Sequence, residues 1–335
     1  MVQSVPAINN SALQFRYNRC IRFFHAAMKK MLSRISRALA NWSLCAIGIV
    51  FAFASSLTAM QVSAAPPSPP ISPRSPAPLR TPASAQLSAP EITAIFSQRL
   101  KSHLEVPAPE QLAYAAKLQQ ALLEARVADA GAQYILLVDR NPLVQTLFIY
   151  WKPAQGAWQF VAAAPVATGK AGRFDHYLTP LGVFPHTLAN PDFRAQGTKN
   201  QLGIRGYGTK GMRVYDFGWA SSERGWGKGG QSIMRLQMHA TDPGALEARL
   251  GQPGSKGCVR IPALLNQLID HYGLIDADYE EDARRGTHLW LLRPDREPVP
   301  TPGRYMVVID SGGKLKPAWL LPKPAAPATP VKVTP

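Results

Sequence analysis

Several features that would define a function are missing from this sequence. Its seven histidines are scattered, and no two of them, alone or with carboxylates, have the spacing of a recognised metal site. No stretch has zinc-ligand spacing, and no strand alternates aromatic with basic residues, so the sequence predicts no nucleic-acid-binding module. We therefore expect a protein that uses no metal or other cofactor and has no nucleic-acid partner.

Charged residues are scarce, and acidic ones are the scarcer kind. Only 17% of the 335 residues are charged, whereas 46% are hydrophobic and 31 are prolines. That mixture indicates a globular part with a sizeable core, accompanied by proline-rich segments. The formal net charge is +16, and residues 1–64 contain basic residues but no acidic one. A basic chain suits an acidic partner, and the export signal described next favours an anionic polymer of the cell envelope.

The N-terminal residues 1–64 have the pattern of an extension followed by a signal peptide. A basic stretch precedes an uncharged, mostly apolar run over 38–60, and the small residues of 62–64 (VSA) follow it. Small residues at that point indicate cleavage by a signal peptidase and a periplasmic location. The alternative is an uncleaved anchor in the inner membrane, because about 20 apolar residues can span a bilayer.

Cleavage there would leave one thiol in the exported chain. The three cysteines are Cys20, Cys45 and Cys258, and only Cys258 follows the predicted cleavage site. A lone free cysteine can be an inert core residue. The residues around Cys258 argue instead for a reactive thiol.

Composition divides the rest of the chain into four segments. A Pro-, Ser- and Ala-rich linker covers 65–90, and a helical lead-in covers 91–130. A catalytic domain is expected over 131–293, and a proline-rich C-terminal extension over 294–335.

Short strands separated by Gly- and Pro-containing turns predict a mainly β fold for the catalytic domain, with a few short helices. The predicted strands are 134–139, 143–151, 158–166, 233–238 and, in the C-terminal extension, 305–309. The predicted helices are 244–250, with Asp242 as its N-terminal cap, and 262–272.

Two residues of this domain have the chemistry of a thiol nucleophile and its base. His239 follows a predicted strand, and Cys258 lies on a loop opened by Gly254 and Gly257, just before a predicted helix. A helix N-terminus would lower the pKa of the thiol. The amides around Gly257 are candidates for an oxyanion hole, and Arg260 is a cation placed to hold a substrate carboxylate or the thiolate.

The spacing of these residues resembles the signature of the YkuD-type L,D-transpeptidases. That family carries a His, a gap of 14–17 residues, then Ser/Thr-His-Gly-Cys, an apolar residue and Asn or Arg. Here fifteen residues separate His239 from the segment 255–260, SKGCVR. Upstream, 165–169 (PVATG) and 179–184 (TPLGVF) resemble two further motifs of the family. Lys256 departs from the pattern, since the family usually has a second His at that position, and Ala240 stands where Gly is commoner.

The resemblance implies a YkuD-like β-sandwich catalytic domain that acts on peptidoglycan. Cys258 would attack the carbonyl between diaminopimelate and D-alanine of a stem peptide, and His239 would serve as general base and later as acid. The backbone of Gly257 would contribute to the oxyanion hole. A backbone carbonyl near Ala240, rather than Asp242, would orient the imidazole. Ser255 would support the loop, and the residues expected to contact substrate are Ser255, Lys256 and Arg260.

Three readings of the function remain open at this point. A transpeptidase would pass the acyl group to an amine of a neighbouring stem peptide, an envelope protein or a free D-amino acid. A hydrolase would pass it to water and cut stem peptides or a protein–peptidoglycan link. A wall-binding protein would retain the fold without turnover, and Lys256 is the residue that keeps this third reading open.

Overall fold

The structure is a computed structural model that describes residues 87–127 and 131–320. Within these ranges it contains nine β-strands in two sheets and four α-helices. The predicted N-terminal extension, signal peptide and nearly all of the linker lie outside the described residues, as do residues 321–335 of the C-terminal extension. No helix in the described ranges combines the length and apolar character that crossing a membrane requires.

The lead-in consists of two helices, α1 (Ala89–Arg99) and α2 (Ala108–Glu124), each with a proline in its first turn. A capping box begins α1, because the backbone N–H of Ser88 donates to the Glu91 carboxylate at 2.7 Å. Residues spaced by four bury one face of α2, namely Tyr114, Leu118 and Leu122. Since α1 begins at Ala89, the predicted linker ends two residues earlier than expected.

Five strands form the larger sheet in the order β3-β2-β1-β9-β4. Its strands are β1 (Gln133–Asp139), β2 (Thr146–Lys152), β3 (Gln159–Pro165), β4 (Gly182–Pro185) and β9 (Tyr305–Ile309). The pair β1–β9 is parallel, and the other pairs are antiparallel.

Four strands form the smaller sheet in the order β5-β6-β7-β8, in which β7 and β8 run parallel. Its strands are β5 (Phe193–Arg194), β6 (Arg213–Glu223), β7 (Gln231–Ala240) and β8 (Val259–Ile261). Two helices follow β8 in the chain, α3 (Ala263–His271) and α4 (Ala277–Arg284).

The larger sheet is buried on both faces. Leu136 and Val138 of β1 belong to the core that this sheet shares with the smaller sheet, with α1 and with α3. Their neighbours Ile135 and Leu137 belong to a second core beneath α2. A continuous apolar strand between two layers is the expected pattern for such burial. The prediction of a β-rich fold is therefore confirmed, and the helical lead-in is an integral layer of it.

Two boundaries of the prediction need correction. The catalytic domain was expected to end at 293, but β9 lies between β1 and β4 and pairs with both. The sheet would be split without it, so the folded unit continues at least to Ile309. The helix expected over 244–250 is only a 3₁₀ turn at Glu247–Arg249. Asp242 does bind the first amides there, but Gly251 has a φ of +92° and ends the segment before an α-helix can form.

Candidate active site

The parallel pairing of β7 and β8 brings His239 and Cys258 to one face of the smaller sheet. Met238 and Val259 are paired across the two strands and are both fully buried in the shared core. Because side chains alternate along a strand, the residues next to them point to the opposite face. That outer face therefore carries His239 from β7, Cys258 just before β8, and Arg260, which is paired with His239.

A single hydrogen bond orients the imidazole of His239. Its Nδ1 lies 2.7 Å from the carbonyl oxygen of Ala240, which was the predicted kind of partner. A carbonyl can only accept, so Nδ1 carries the proton and Nε2 of the neutral ring holds the free lone pair. The ring of Tyr207 packs edge-on against the imidazole at 4.7 Å between centroids. His239 is consequently only 4% exposed.

Burial keeps this histidine uncharged. It lowers the pKa of His239 to about 4, and the positive charge of Arg260 acts in the same direction, against the hydrogen bond to Ala240. At neutral pH the imidazole is therefore the neutral form that a general base requires.

Burial also acts on the thiol, in the direction opposite to the prediction. It raises the pKa of Cys258, although the backbone N–H of Gln237 and the charge of Arg260 partly oppose the rise. The expected lowering by a helix N-terminus is wrong, because β8 separates Cys258 from α3, which begins at Ala263. The two groups are thus a neutral thiol and a neutral imidazole on the same face of the sheet.

Ser255 shapes the loop that carries the thiol. Its side chain is buried, and Oγ donates to the carbonyl oxygen of Cys258 at 2.6 Å while accepting the N–H of Gly257 at 3.0 Å. The hydroxyl predicted to contact substrate is therefore occupied within the loop. The amide predicted for the oxyanion hole is occupied as well, so an oxyanion would compete with Ser255 for the Gly257 N–H.

Only glycine fits at position 257. Its φ is +132°, and a Cβ there would lie 2.6 Å from the sulfur of Met234. Thr179 and Gly169, which belong to the two upstream motifs, form hydrogen bonds that fix the position of Gly257. Thr179 donates its hydroxyl to the Gly257 carbonyl at 2.7 Å and accepts the N–H of Gly169 at 2.9 Å. The segments 165–169 and 179–184 thus act as a support for the nucleophile loop.

The two predicted cationic contacts have different surroundings. Lys256 is an exposed residue whose ammonium pairs with Asp175 at 2.9 Å. Arg260 is partly buried, donates Nη1 to the Gly254 carbonyl at 3.0 Å, and lies close enough to Cys258 to affect the pKa of the thiol. Of the two, Arg260 is the one placed beside the reacting groups.

A polar chain that the sequence did not reveal extends across the same face. The Tyr207 hydroxyl donates to the side-chain oxygen of Gln237 at 3.2 Å, and the amide nitrogen of Gln237 donates to Asp216 at 2.9 Å. Arg235 donates to the same carboxylate at 2.7 Å. The only sequence signal for Tyr207 was its position between two glycines, which indicated a turn and not a contact with a strand about thirty residues later.

In the described parts of the chain, no group of three or more His, Cys, Asp or Glu residues is arranged to hold a metal ion.

Compared with known proteins, the chain matches no family model and has no significant match among curated proteins. The function must therefore be argued from the site itself.

Proposed function

We propose that this protein is an exported cysteine acyltransferase, an L,D-transpeptidase that acts on peptidoglycan stem peptides. One observation carries the proposal: Cys258 and His239 share the outer face of β7 and β8, and the imidazole is fixed with Nε2 free. A thiol beside a neutral, oriented imidazole is the arrangement that nucleophilic acyl transfer requires. The motifs around both residues supply the substrate class by resemblance.

The first half-reaction forms a thioester. Nε2 of His239 takes the thiol proton as the sulfur of Cys258 attacks the carbonyl between diaminopimelate and D-alanine. The carbon–nitrogen bond of the tetrahedral intermediate then breaks, and the imidazolium returns the proton to the departing amine of D-alanine. Because both resting groups are neutral, the charges arise only during the reaction, where Arg260 can stabilise the developing thiolate.

The second half-reaction transfers the acyl group to an amine. The acceptor amine loses a proton to Nε2 of His239 as it attacks the thioester carbonyl. Cys258 leaves as the thiolate and recovers its proton from the imidazolium. Tyr207 and the neighbouring strands cover His239 to 4% exposure, which limits the water that competes with the amine.

The test is incubation of the purified protein with a disaccharide-tetrapeptide, with and without a D-amino acid, followed by mass spectrometry of products and protein. We expect D-alanine to be lost and the added amino acid to be joined in its place. Cys258→Ala should abolish this reaction. The matched control is Ser97→Ala, which removes a similarly small polar group from the exposed side of α1 and should leave turnover unchanged.

Either of two other outcomes would contradict the proposed transpeptidase. Loss of D-alanine without joining, at all acceptor concentrations, would assign a hydrolase instead. Absence of both reactions, together with no covalent mass on Cys258 after exposure to an acylating β-lactam, would overturn the proposal of a thiol enzyme.

A further inference from the structure

A basic cavity of about 350 Å³ lies beside the catalytic pair. Its polar lining comes mainly from six side chains, Lys170, Arg173, His176, Thr241, Arg249 and Arg260. Among the described residues that line it, none is an aspartate or a glutamate. A concave site with cations and no carboxylate attracts an anion.

The cations of this basic cavity are not neutralised by the protein. In the ranges that the structure describes, Lys170, Arg173 and Arg249 form no ion pair, whereas nearby Lys256 and Arg205 pair with Asp175 and Asp242. Unpaired charges around one small volume repel each other. An anionic ligand would relieve that repulsion.

A buried hydroxyl gives an independent indication of a ligand. Thr241 is 0% exposed and lines the basic cavity, yet its Oγ1 has no hydrogen-bond partner within residues 87–127 and 131–320. The Nε of Arg260 is also buried without a partner. Buried polar atoms are normally hydrogen-bonded, so two unpartnered donors on one cavity wall indicate a missing acceptor.

The position of this wall follows from the strand register. Thr241 lies two residues after His239, and Arg260 lies two residues after Cys258, on strands that run parallel. Arg260 is paired with His239, and two residues of a strand span about 7 Å, so the nearest part of the wall, Arg260, lies about 7 Å from Cys258, and Thr241 lies about 7 Å beyond His239. A peptide residue covers at most about 3.6 Å, which places a ligand group there one or two residues from the scissile bond.

We infer that the basic cavity binds a carboxylate of the acyl donor, one or two residues from the bond that Cys258 attacks. This inference rests on the proposed function, since the donor is defined by that reaction. Arg260 and Thr241 would donate to the carboxylate from the inner wall, while Lys170, Arg173 and Arg249 supply charge from the rim. The site would select acidic stem peptides over their amidated forms.

The test measures binding in the full chain carrying Cys258→Ala, so that no turnover occurs. Two tetrapeptide stems are compared by calorimetry, one with a free carboxylate on the acidic residue before diaminopimelate and one with an amide there. We expect the acid to bind at least tenfold more tightly, with a preference that weakens as salt is raised. The double substitution Lys170→Gln with Arg249→Gln should remove the preference, and Thr241→Val should reduce it several-fold.

The matched control is Lys117→Gln, which neutralises an exposed lysine on α2 and should keep the full preference. A preference that persists in the double variant, or equal binding of acid and amide in the parent chain, would overturn the inference. Inorganic phosphate is titrated in competition, and tighter binding of phosphate than of the acidic peptide would also overturn it, in favour of a phosphate site.

Failure here is distinguishable from failure of the proposed function. Thioester formation at equal rates with acidic and amidated stems would leave the enzyme and remove the carboxylate site. Acid-selective binding without any acylation of Cys258 would do the reverse, showing a carboxylate site on a protein that does not catalyse the reaction.

Discussion

Two buried histidines of this protein have opposite protonation states. His239 is 4% exposed, donates Nδ1 to the Ala240 carbonyl and faces the cation Arg260. His186 is 0% exposed, and its two ring nitrogens lie 2.9 Å from the Ile275 carbonyl and from the Asp192 carboxylate. Both partners of His186 can only accept, so both of its nitrogens carry a proton.

The hydrogen-bond partners of the two rings explain why their pKa values shift in opposite directions. Burial alone would lower the pKa of either ring, but the carboxylate of Asp192 outweighs burial and raises the pKa of His186. No such carboxylate faces His239, whose pKa falls to about 4. Burial therefore does not decide the charge of a histidine in this fold. The charge of its nearest partner does, and it makes His186 a buried cation and leaves His239 a neutral imidazole.

His186 belongs to a buried ion network centred on Arg213. The guanidinium, itself 0% exposed, donates to Asp192 at 2.7 Å and to Asp276 at 2.6 Å. It also lies 4.9 Å from the ring centres of both Tyr215 and Tyr279. In this network each charge has an opposite partner, whereas Lys170, Arg173 and Arg249 of the basic cavity have no ion-pair partner among the residues that the structure describes. The first region is built for stability, and the second is left with unpaired groups that a ligand can use.

The largest expected effect separates the two histidines by activity. His239→Asn keeps a donor for the Ala240 carbonyl but removes the base, so acylation of Cys258 should slow by about 10²–10⁴-fold. Stopped-flow or mass-spectrometric acylation with a β-lactam measures it. His186→Asn should retain the acylation rate per folded molecule. Equal losses in the two variants would contradict the assignment of one base and one structural cation.

The next effect concerns stability. Arg213→Met removes the guanidinium that Asp192 and Asp276 share and leaves His186 as the remaining buried cation beside them, which should lower the free energy of unfolding by about 3–5 kcal/mol. Urea denaturation followed by circular dichroism measures this change. Arg285→Met is the matched control, because Arg285 is 58% exposed and its ion pairs among the described residues are with Glu281 and Asp282, one turn before it, so its unfolding midpoint should not move. A midpoint that is equally unaffected in Arg213→Met would show that the network does not stabilise the fold.

The pH dependence of stability should have opposite signs for the two rings. The folded-state pKa of His239 lies below that of an unfolded histidine, so its contribution is present above about pH 6.5 and is lost as the pH falls towards 4. The shift corresponds to a loss of roughly 3 kcal/mol over that window. Urea denaturation of wild type and His239→Asn between pH 4 and 8 gives this difference. A difference that does not change with pH would contradict the lowered pKa.

The contribution of His186 to stability should have the opposite pH dependence. Its folded-state pKa is raised, so its contribution is complete below about pH 6.5 and is lost as the pH rises through the folded-state value. The stability gap between wild type and His186→Asn should therefore narrow at alkaline pH in the same titration. A gap that widens there would indicate a neutral His186.

The smallest effect is expected at the exposed ion pair of the nucleophile loop. Lys256→Ala removes a partner of Asp175 that is 64% exposed, so the free energy of unfolding should change by less than about 1 kcal/mol. Acylation of Cys258 should stay within about twofold of wild type, since the Lys256 ammonium is exposed and pairs with Asp175. A large loss of acylation would restore Lys256 to the substrate contacts that the sequence suggested.

Much of the fold followed from local patterns. The strands β1, β2, β3, β7 and β9 and the helix α3 were predicted close to their observed bounds, because each is a short run bounded by Gly, Pro or a capping residue. The longest strand, β6, was missed, since Gly218 and several polar residues interrupt its apolar pattern. The three-residue β8 was missed because its pattern is too short to detect.

Only part of the candidate site was predicted from the sequence. Spacing and residue type selected His239 and Cys258 without any knowledge of the fold. The sequence also predicted that Ser255 supports the loop, but the hydrogen bond from the Gly257 N–H to Ser255 could not be predicted, because it depends on the curvature of a loop supported by Thr179, far away in the chain. Tyr207 and the basic cavity were not predicted, since their residues come from separate segments that only the folded chain brings together.

The sequence by itself determined the chemical parts of this protein: a single cysteine after residue 64, a histidine after a predicted strand, a glycine before the cysteine and an excess of cations. The tertiary structure determined the protonation states of these groups and the side chains that surround them. Burial set the protonation of His239 and Cys258, because the free energy of a charge depends on the solvent and partners around it. Strand pairing then placed Arg260 and Thr241 next to them, because register, not distance along the chain, determines which side chains share a face.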